Sequence, residues 1–427
     1  MPDVKRLAPG VDGVYIRNAR FKTSRVSVYF YLPLRKETLS RNALLPYLLA
    51  SGCKAYPDFG SLQSKLDSLY GAALSGVADK AADSQVLRIT LSALDDGYAL
   101  DGESVSAACA ELLRQLIFTP AAEKGAFDAA VFQREKRLFI ERIEGEINEK
   151  RIYAKNRCLS EMCAGEPFGL PRLGTKEDAE ALTAADAYAA WEEVLDTAYV
   201  RVSVVSASEP DAIFAAFADA FSARPRREAH LAENVVGNAP ETVRQVTDRL
   251  DVAQGKLVMG FRTGEAGPLS GLVPLMIFTD VFGGGPYSRL FANVREKLSL
   301  CYYCAARVNY NKGILTVESG VESQNAKKAE DEILRQLDIM RAGEFTDEEL
   351  AASKLAKGDM ARSIPDTPAE TEVWYASQVF DPRPLSPAQT AAAIQAVTRE
   401  QVIEAARKIR LDTVYTLLPK EEAAHDA

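Results

Sequence analysis

The sequence contains very little histidine. Its 427 residues include two, His230 and His425. A helix that holds zinc through two imidazoles needs them about four residues apart, so that both lie on one face. No two imidazoles in this chain have such a spacing, which excludes a paired-histidine zinc motif. We therefore expect the protein to hold no metal and no cofactor.

Long apolar runs and an excess of positive charge are also missing. No stretch approaches the roughly 20 apolar residues that a membrane-spanning helix needs. The N-terminal segment MPDVKRLAPG lacks the apolar centre of a secretory signal. The net charge of −9 disfavours nucleic acid or an anionic membrane as a partner. We expect a cytoplasmic protein that binds neither.

Cysteine is sparse, with six residues spread along the chain, far fewer than a disulfide scaffold contains. Two of them, in Cys301-Tyr-Tyr-Cys304, have the spacing found in redox and zinc-binding motifs. This segment reads as the start of a β-strand, where residues three apart point to opposite faces. The sequence therefore predicts two small buried residues with no metal or redox role.

The most distinctive stretch that is present is Asp280–Tyr303. Three glycines, Gly283, Gly284 and Gly285, precede a proline and a short amphipathic segment, and a tyrosine-rich strand follows. Glycines before a helix can expose backbone N–H groups at its positive end, and proline suits the first turn. The Gly-Lys-Ser/Thr ending of a phosphate-binding loop is absent. The pattern predicts a tight turn into a helix.

The chain also repeats itself. Leu113-Arg-Gln-Leu116 recurs as Leu334-Arg-Gln-Leu337, and Leu195-Asp-Thr-Ala-Tyr199 recurs as Leu411-Asp-Thr-Val-Tyr415. The two matches have nearly the same offset and occur in the same order of predicted elements. Such a repeat indicates a duplication. Each half is predicted to be an α+β domain, with a mostly antiparallel sheet faced by helices.

The length of the chain favours more than one domain. Residues 222–242 lack periodicity and carry charges, proline and glycine, which is typical of an interdomain linker. The sequence thus predicts two tandem homologous domains, 1–221 and 243–421. Residues 422–427 are predicted to be a disordered tail.

The glycine-rich turn, then Ser-Arg-Leu-Phe, Val-Arg-Glu-Lys and a strand-starting tyrosine, in the second of two duplicated halves, resembles the pitrilysin/insulinase family of zinc peptidases. This inverzincin family includes the mitochondrial processing peptidase subunits, and the resemblance covers essentially the whole chain. In the family, an arginine and a tyrosine seven residues later bind the peptide backbone. The resemblance implies that Arg295 and Tyr302, with Gly283, Gly284 and Gly285, form a peptide-binding surface.

The same resemblance places the family's His-x-x-Glu-His motif on the first predicted helix, where Gly52-Cys53 matches the Gly-Thr that follows it. Two imidazoles there hold Zn²⁺, and the glutamate is the general base for the zinc-bound water. These positions hold Ala43, Pro46 and Tyr47 here, and the distal glutamate ligand falls on Arg142. The resemblance therefore implies the family's fold without its catalytic residues.

Three functions remain open at this point. The first is a non-catalytic subunit that supplies peptide-binding groups in trans to a catalytic homologue in a heterodimer; the segment from Arg41 looks most like the inactive member of bacterial pairs linked to 5-aminopentanol modification of elongation factor P. The second is a stand-alone homodimer that binds peptides or acts as a scaffold. The third is an enzyme with a new site at Glu141, Glu144, Glu146 and Glu149, although such glutamates usually form a solvated helix face.

Overall fold

The computed structural model describes residues 1–420, which form two compact units. The first unit contains residues 1–144, 170–233 and 365–377, and the second contains residues 145–169, 234–364 and those from 378 onward. The chain passes between the units within the predicted linker 222–242. The units nevertheless differ from the contiguous domains predicted at 1–221 and 243–421, because each half of the chain contributes one segment to the other unit. Residue 421 and the predicted tail 422–427 lie outside the described residues.

The first half of the chain forms eight strands and eight helices. The strands are β1 (Asp3–Ala8), β2 (Val11–Arg17), β3 (Thr23–Pro33), β4 (Ala73–Ala81), β5 (Ser84–Leu94), β6 (Ala122–Glu123), β7 (Ala126–Phe127) and β8 (Tyr199–Ser206). The helices are α1 (Lys36–Leu49), α2 (Phe59–Ser68), α3 (Val105–Phe118), α4 (Ala129–Gly145), α5 (Lys150–Met162), α6 (Lys176–Ala181), α7 (Ala184–Thr197) and α8 (Asp211–Ser222). The central strand β3 is rich in β-branched and aromatic residues, which favour extended structure.

As far as residue 420, the second half forms five strands, six α-helices and one π-helix. The strands are β9 (Arg244–Leu250), β10 (Gly255–Arg262), β11 (Cys301–Asn309), β12 (Ile314–Val321) and β13 (Arg410–Pro419). The helices are α9 (Val273–Gly283), the π-helix Phe291–Lys297, α10 (Ala326–Ala342), α11 (Asp347–Ser363), α12 (Pro368–Ser377), α13 (Pro387–Ala396) and α14 (Arg399–Lys408). Within residues 1–420, no helix is both long enough and apolar enough to cross a bilayer.

Each unit contains one large sheet, and the two sheets share a topology. The strand order is β1-β2-β8-β3-β5-β4 in the first and β11-β12-β10-β13-β9 in the second. Read from the other edge, the second order matches the first without β1. The pairs β2–β8 and β9–β13 are parallel, and the other pairs in both sheets are antiparallel. The predicted architecture of two α+β halves with mostly antiparallel sheets is confirmed.

The first repeated tetrapeptide has the same structure in both halves. In α3, Arg114 and Gln115 both donate hydrogen bonds to Glu111, at 2.6–2.7 Å. In α10, the arginine and glutamine of the second copy donate in the same way to Glu332, at 2.7–2.8 Å. The second repeated segment differs, because Leu195 lies in the last turn of α7 whereas its counterpart begins within β13. That match is not a structural repeat.

Helix α12 comes from the second half of the chain but belongs to the first unit. It packs against β3 and β8. Its Glu372 has a fully buried side chain that pairs with Arg25 of β3 at 2.6 Å. A buried carboxylate is costly unless a cation compensates it. The ion pair compensates Glu372, and Tyr375 packs with Val14, Ile16 and Val205 in a buried apolar cluster, so both contacts hold residues 365–377 in the first unit.

Helix α5 comes from the first half of the chain but belongs to the second unit, where it packs against β10 and β13. The segment that follows it carries Glu166, which forms ion pairs with Arg262 at 2.6 Å and Lys312 at 3.0 Å. All three side chains are at most 7% exposed. Ala154 and Cys158 of α5 also pack with buried apolar residues of β10 and β13. This packing and the compensated charges together hold residues 145–169 in the second unit.

Candidate functional site

The positions that correspond to the family's catalytic motif lie on α1, on the buried side of the helix. Ala43 is fully buried in the core of the first unit, Pro46 is buried, and Tyr47 is half-buried. A methyl group and a pyrrolidine ring cannot ligate a metal, and neither can act as a base at these two positions. The local chemistry therefore agrees with the absence of the family's hydrolytic step.

Tyr47 and Arg142, predicted from the sequence at two of the metal-ligand positions, lie side by side. The Arg142 guanidinium carbon lies 4.1 Å from the centre of the Tyr47 ring, and the Phe139 ring lies 5.9 Å from the same ring. This geometry is a cation–π contact. A guanidinium only donates hydrogen bonds and stays protonated, so it occupies this position without offering a ligand.

Pro46 also determines how closely α1 approaches the sheet. A Cβ atom added to Gly76, in β4, would lie 2.0 Å from the Pro46 carbonyl oxygen and 2.5 Å from its carbon. Glycine inside a strand often marks such a close backbone approach. At this point α1 therefore packs against β4 backbone to backbone.

Gly76→Ala should destabilise the protein by at least 1–3 kcal/mol, the usual cost of overpacking a core, because the obstacle is backbone and cannot rotate away. The measurement is chemical denaturation of the purified chain. Gly145→Ala is the matched control, since an added Cβ there meets nothing within 4 Å and alanine is favoured over glycine in a helix. Equal stability of the two variants would contradict the close seating of α1.

The remaining candidate ligands do not assemble into a metal site. His230 is exposed, and His425 lies outside the described residues. Glu141 accepts a hydrogen bond from Arg137 at 2.6 Å, and Glu144 pairs with Lys176. These glutamates form surface ion pairs. Within residues 1–420, no group of three or more histidine, cysteine, aspartate or glutamate residues is placed to hold a metal ion.

The three glycines of the second half occupy crowded positions. Gly283 ends α9, and a Cβ there would lie 2.8 Å from Ala306. Added Cβ atoms would lie 2.0 Å from the Asp280 carboxylate at Gly284, and 2.9 Å from the Tyr287 ring at Gly285. The glycines end α9, and the turn after them leads at Arg289 into the helical segment that contains the π-helix Phe291–Lys297, which confirms the predicted turn into a helix. The glycines serve close packing, and their role in peptide binding stays a prediction.

Three irregularities of the backbone follow one another along the chain just after these glycines. Residues Phe291–Lys297 form a π-helix, a rare conformation that is frequent at functional sites. Ser299 has a φ of +49°, which side chains other than glycine rarely adopt. The register of β11 against β12 then shifts between Cys301 and Tyr303, which makes Tyr302 the extra residue of a β-bulge. Such strain is typical of functional sites.

The irregular backbone shapes a pocket of about 340 Å³. Its lining includes Arg295, Ser299, Cys301, Tyr302, Glu322 and Asn325. The structure therefore brings together the two residues that the resemblance implied. The bulge leaves Tyr302 62% exposed. Arg295 stacks on the Phe291 ring, 4.5 Å from the guanidinium carbon to the ring centre, and its side chain is 41% exposed.

The sequence contained no sign that Glu322 and Asn325 also line this pocket. Glu322 and Asn325 follow β12, and the Asn325 side chain donates to the Glu322 carboxylate at 3.3 Å. Nothing in their local pattern distinguishes them from ordinary polar residues at a strand end. The antiparallel pairing of Cys301 with Val321 brings them next to the bulge. The pocket thus presents a guanidinium, a phenol and two carboxylates, those of Glu296 and Glu322, and Glu296 pairs with the Arg295 guanidinium at 3.6 Å.

The fold and the lost catalytic positions define a non-catalytic zinc-peptidase homologue. Residues 181–357 match the family model described as "Peptidase M16 inactive domain". The chain is 30% identical over 422 residues, 99% of each sequence, to the "Probable inactive metalloprotease YmfF" of Bacillus subtilis strain 168. The chain belongs to the M16 peptidase family as a non-catalytic member. This confirms the pitrilysin/insulinase-type resemblance, while the link to elongation factor P stays a prediction.

Solved structures support the same fold. A conserved protein from Enterococcus faecalis V583 superposes with a TM-score of 0.90 at 27% identity, covering 99% of both chains. The peptidase M16 inactive domain from Pseudomonas fluorescens superposes with a TM-score of 0.78 at 17% identity, covering 98% of both. These similarities extend over both units.

Proposed function

We propose that this chain is the non-catalytic subunit of a two-subunit peptidase and supplies a peptide-binding surface to a catalytic homologue. The observation that carries the proposal is the pocket containing Arg295 and Tyr302, which persists in a chain whose catalytic positions hold Ala43, Pro46 and Tyr47. The strained backbone that holds this arginine and tyrosine costs stability. Ligand binding explains why they are there.

The position of the pocket suits an extended peptide. It lies at the start of β11, which is the outermost strand in the order of the second sheet. An outermost strand can pair with an added peptide strand through main-chain hydrogen bonds. The Arg295 guanidinium and the Tyr302 hydroxyl can donate to peptide carbonyls, and the Glu322 carboxylate can accept from an N–H or a basic side chain. Recognition would then depend mainly on the peptide backbone.

The proposal is tested with the purified chain, a histidine-containing M16 homologue from the same cell, and a mixture of quenched fluorescent peptides. We expect no stoichiometric zinc and no hydrolysis with the chain alone. Adding it should raise hydrolysis by the homologue at least about tenfold, equivalent to about 1.4 kcal/mol. Unchanged hydrolysis by the homologue would overturn the proposal.

The same purified chain also tests the alternative function, a stand-alone homodimer. A chain that forms a tight dimer in size-exclusion chromatography with light scattering, and binds peptides equally with and without the homologue, would be a scaffold or peptide-binding protein. Zinc bound at one equivalent per chain would instead point to an enzyme with a different site.

A further inference from the structure

The first unit contains a cavity of about 160 Å³ between helix α12 and strands β3, β4 and β5, which we call the α12 cavity. Tyr29 and Tyr31 of β3 line it, and they alternate along that strand with the core residues Phe30 and Leu32. Because side chains alternate between the two faces of a strand, the cavity lies on the face of the sheet turned away from the main core. Its wall is mostly apolar and includes Val77, Val86, Val373 and Ala376.

A buried hydroxyl in the wall of this cavity is without a hydrogen bond. Tyr29 is 4% exposed, and its hydroxyl has no partner among the residues that the structure describes. Such a group costs stability unless something pairs with it. Burial raises the pKa of this phenol well above its ordinary value. The hydroxyl therefore stays protonated and is available as a hydrogen-bond donor.

Arg88 places a positive charge beside this hydroxyl. It lies directly opposite Tyr29 in the pairing of β3 with β5, and its guanidinium carbon lies 5.7 Å from the centre of the Tyr29 ring. The two groups influence each other's pKa without forming a hydrogen bond of ordinary geometry. Glu372 and Asp79 are the carboxylates that act on the charge of Arg88. Glu372 is already paired with Arg25, so the guanidinium can accept a further anion.

The size and shape of the cavity suit an aromatic ring. An apolar cavity of roughly 150 Å³ holds benzene. The Tyr29 and Tyr31 rings are nearly parallel, with 12° between their planes and 6.1 Å between their centres, so they form a flat aromatic surface on which a ring can stack. One guanidinium and one hydroxyl supply donors for the two oxygens of a carboxylate. A phosphate would bring more charge into an apolar wall than these donors compensate.

We propose that the α12 cavity binds a small aromatic carboxylic acid. The carboxylate accepts hydrogen bonds from the Tyr29 hydroxyl and the Arg88 guanidinium, and the ring packs between the tyrosines and the apolar side chains of α12. No lining residue belongs to the lost catalytic positions or to the pocket of Arg295 and Tyr302, so this site is independent of the proposed peptide-binding function. Because α12 comes from the second half of the chain, a bound ligand joins it to the sheet and stabilises the folded first unit.

The test titrates the full chain with phenylacetate in isothermal titration calorimetry, with benzyl alcohol as the uncharged analogue. We expect a Kd of about 1 mM or lower for phenylacetate, which is ordinary for a ligand of this size, and binding of benzyl alcohol that is weaker by about tenfold or more. Phenylacetate should also raise the midpoint of thermal unfolding, since it binds the folded state. A Kd above about 10 mM, or equal affinity for the two compounds, would overturn the proposal.

Three substitutions locate the site. Arg88→Met removes the charge and should weaken phenylacetate binding about 10- to 100-fold, whereas Tyr29→Phe removes one neutral hydroxyl and should weaken it about two- to tenfold. Ala376→Leu fills the cavity and should abolish binding. Tyr29→Phe deletes a group that has no partner in the fold, so this variant should be at least as stable as the wild type.

Arg137→Met is the matched control. Arg137 is an exposed arginine of α4 that pairs with Glu141 and does not line the cavity, so its loss should leave the affinity unchanged. Circular dichroism establishes that each variant is folded. If folded Arg88→Met and Tyr29→Phe variants bind phenylacetate as tightly as the wild type, the ligand lies elsewhere and the proposal is wrong.

Discussion

Arg295→Ala should reduce the stimulation of a catalytic homologue by about 10- to 100-fold. The expected loss is that of a hydrogen bond to a charged group, about 1.5–3 kcal/mol, and about 1.4 kcal/mol corresponds to a factor of ten. Tyr302→Phe removes a single neutral hydroxyl and should cost less, about two- to tenfold. The measurement is the initial rate of peptide hydrolysis at limiting peptide concentration, with a fixed amount of the homologue.

The design of this experiment depends on both side chains being exposed. Surface substitutions of this kind usually change stability by less than about 0.5 kcal/mol, so the variants should fold normally. Arg307→Ala is the control. Arg307 is an exposed arginine on β11, the strand that carries Tyr302, and it does not line the pocket. Equal stimulation by the Arg295 and Arg307 variants would show that the pocket does not contact the substrate.

Glu166→Ala should destabilise the chain by about 3–5 kcal/mol, because it removes the carboxylate that two buried cations share, although Arg262 keeps its ion pair with Asp412 at 2.9 Å. The Lys312 side chain is fully buried, and that of Arg262 is 6% exposed. At about 2–4 °C per kcal/mol, the midpoint of thermal unfolding should fall by roughly 6–20 °C. Differential scanning calorimetry measures it directly. Glu161→Ala is the matched control in the same segment, since Glu161 pairs with Arg157 at the surface and should cost less than about 1 kcal/mol.

The Glu166 carboxylate should also make the free energy of unfolding depend on pH. Burial alone would raise the pKa of Glu166, but hydrogen bonds from Arg262 and Lys312 outweigh it and hold the pKa below the ordinary value of 4.5. A depressed pKa in the folded state contributes stability above about pH 4.5, and this contribution is lost as the pH falls through the folded value. Glu166→Gln should therefore lose less stability between pH 5 and pH 3 than the wild type. If the free energy of unfolding changed with pH in the same way for both proteins, the buried ion-pair cluster would be contradicted.

Much of the fold was visible in the sequence. The repeated Leu-Arg-Gln-Leu segment predicted the duplication correctly, because in both halves it carries the same hydrogen bonds to a glutamate one turn earlier. The second repeat, at Leu195 and Leu411, misled, because a tetrapeptide match does not determine whether a segment is helix or strand. The unit boundaries were not visible in the sequence, because residues 365–377 and 145–169 join their units through tertiary contacts, both apolar clusters and the buried ion pairs of Glu372 and Glu166.

The sequence by itself determined that the family's catalytic residues are missing: Ala43, Pro46 and Tyr47 occupy the positions where the family has its two zinc-binding histidines and its general base. Residue identity decides that chemistry, whatever the fold. Only the tertiary structure decided what the pocket is. The extra residue at Tyr302 exposes that side chain and, contrary to the sequence expectation, puts Cys301 and Cys304 on one face of the sheet. The pairing of Cys301 with Val321 brings Glu322 to the pocket that Arg295 lines. Strand periodicity cannot predict such a bulge, because the register of β11 depends on its pairing with β12.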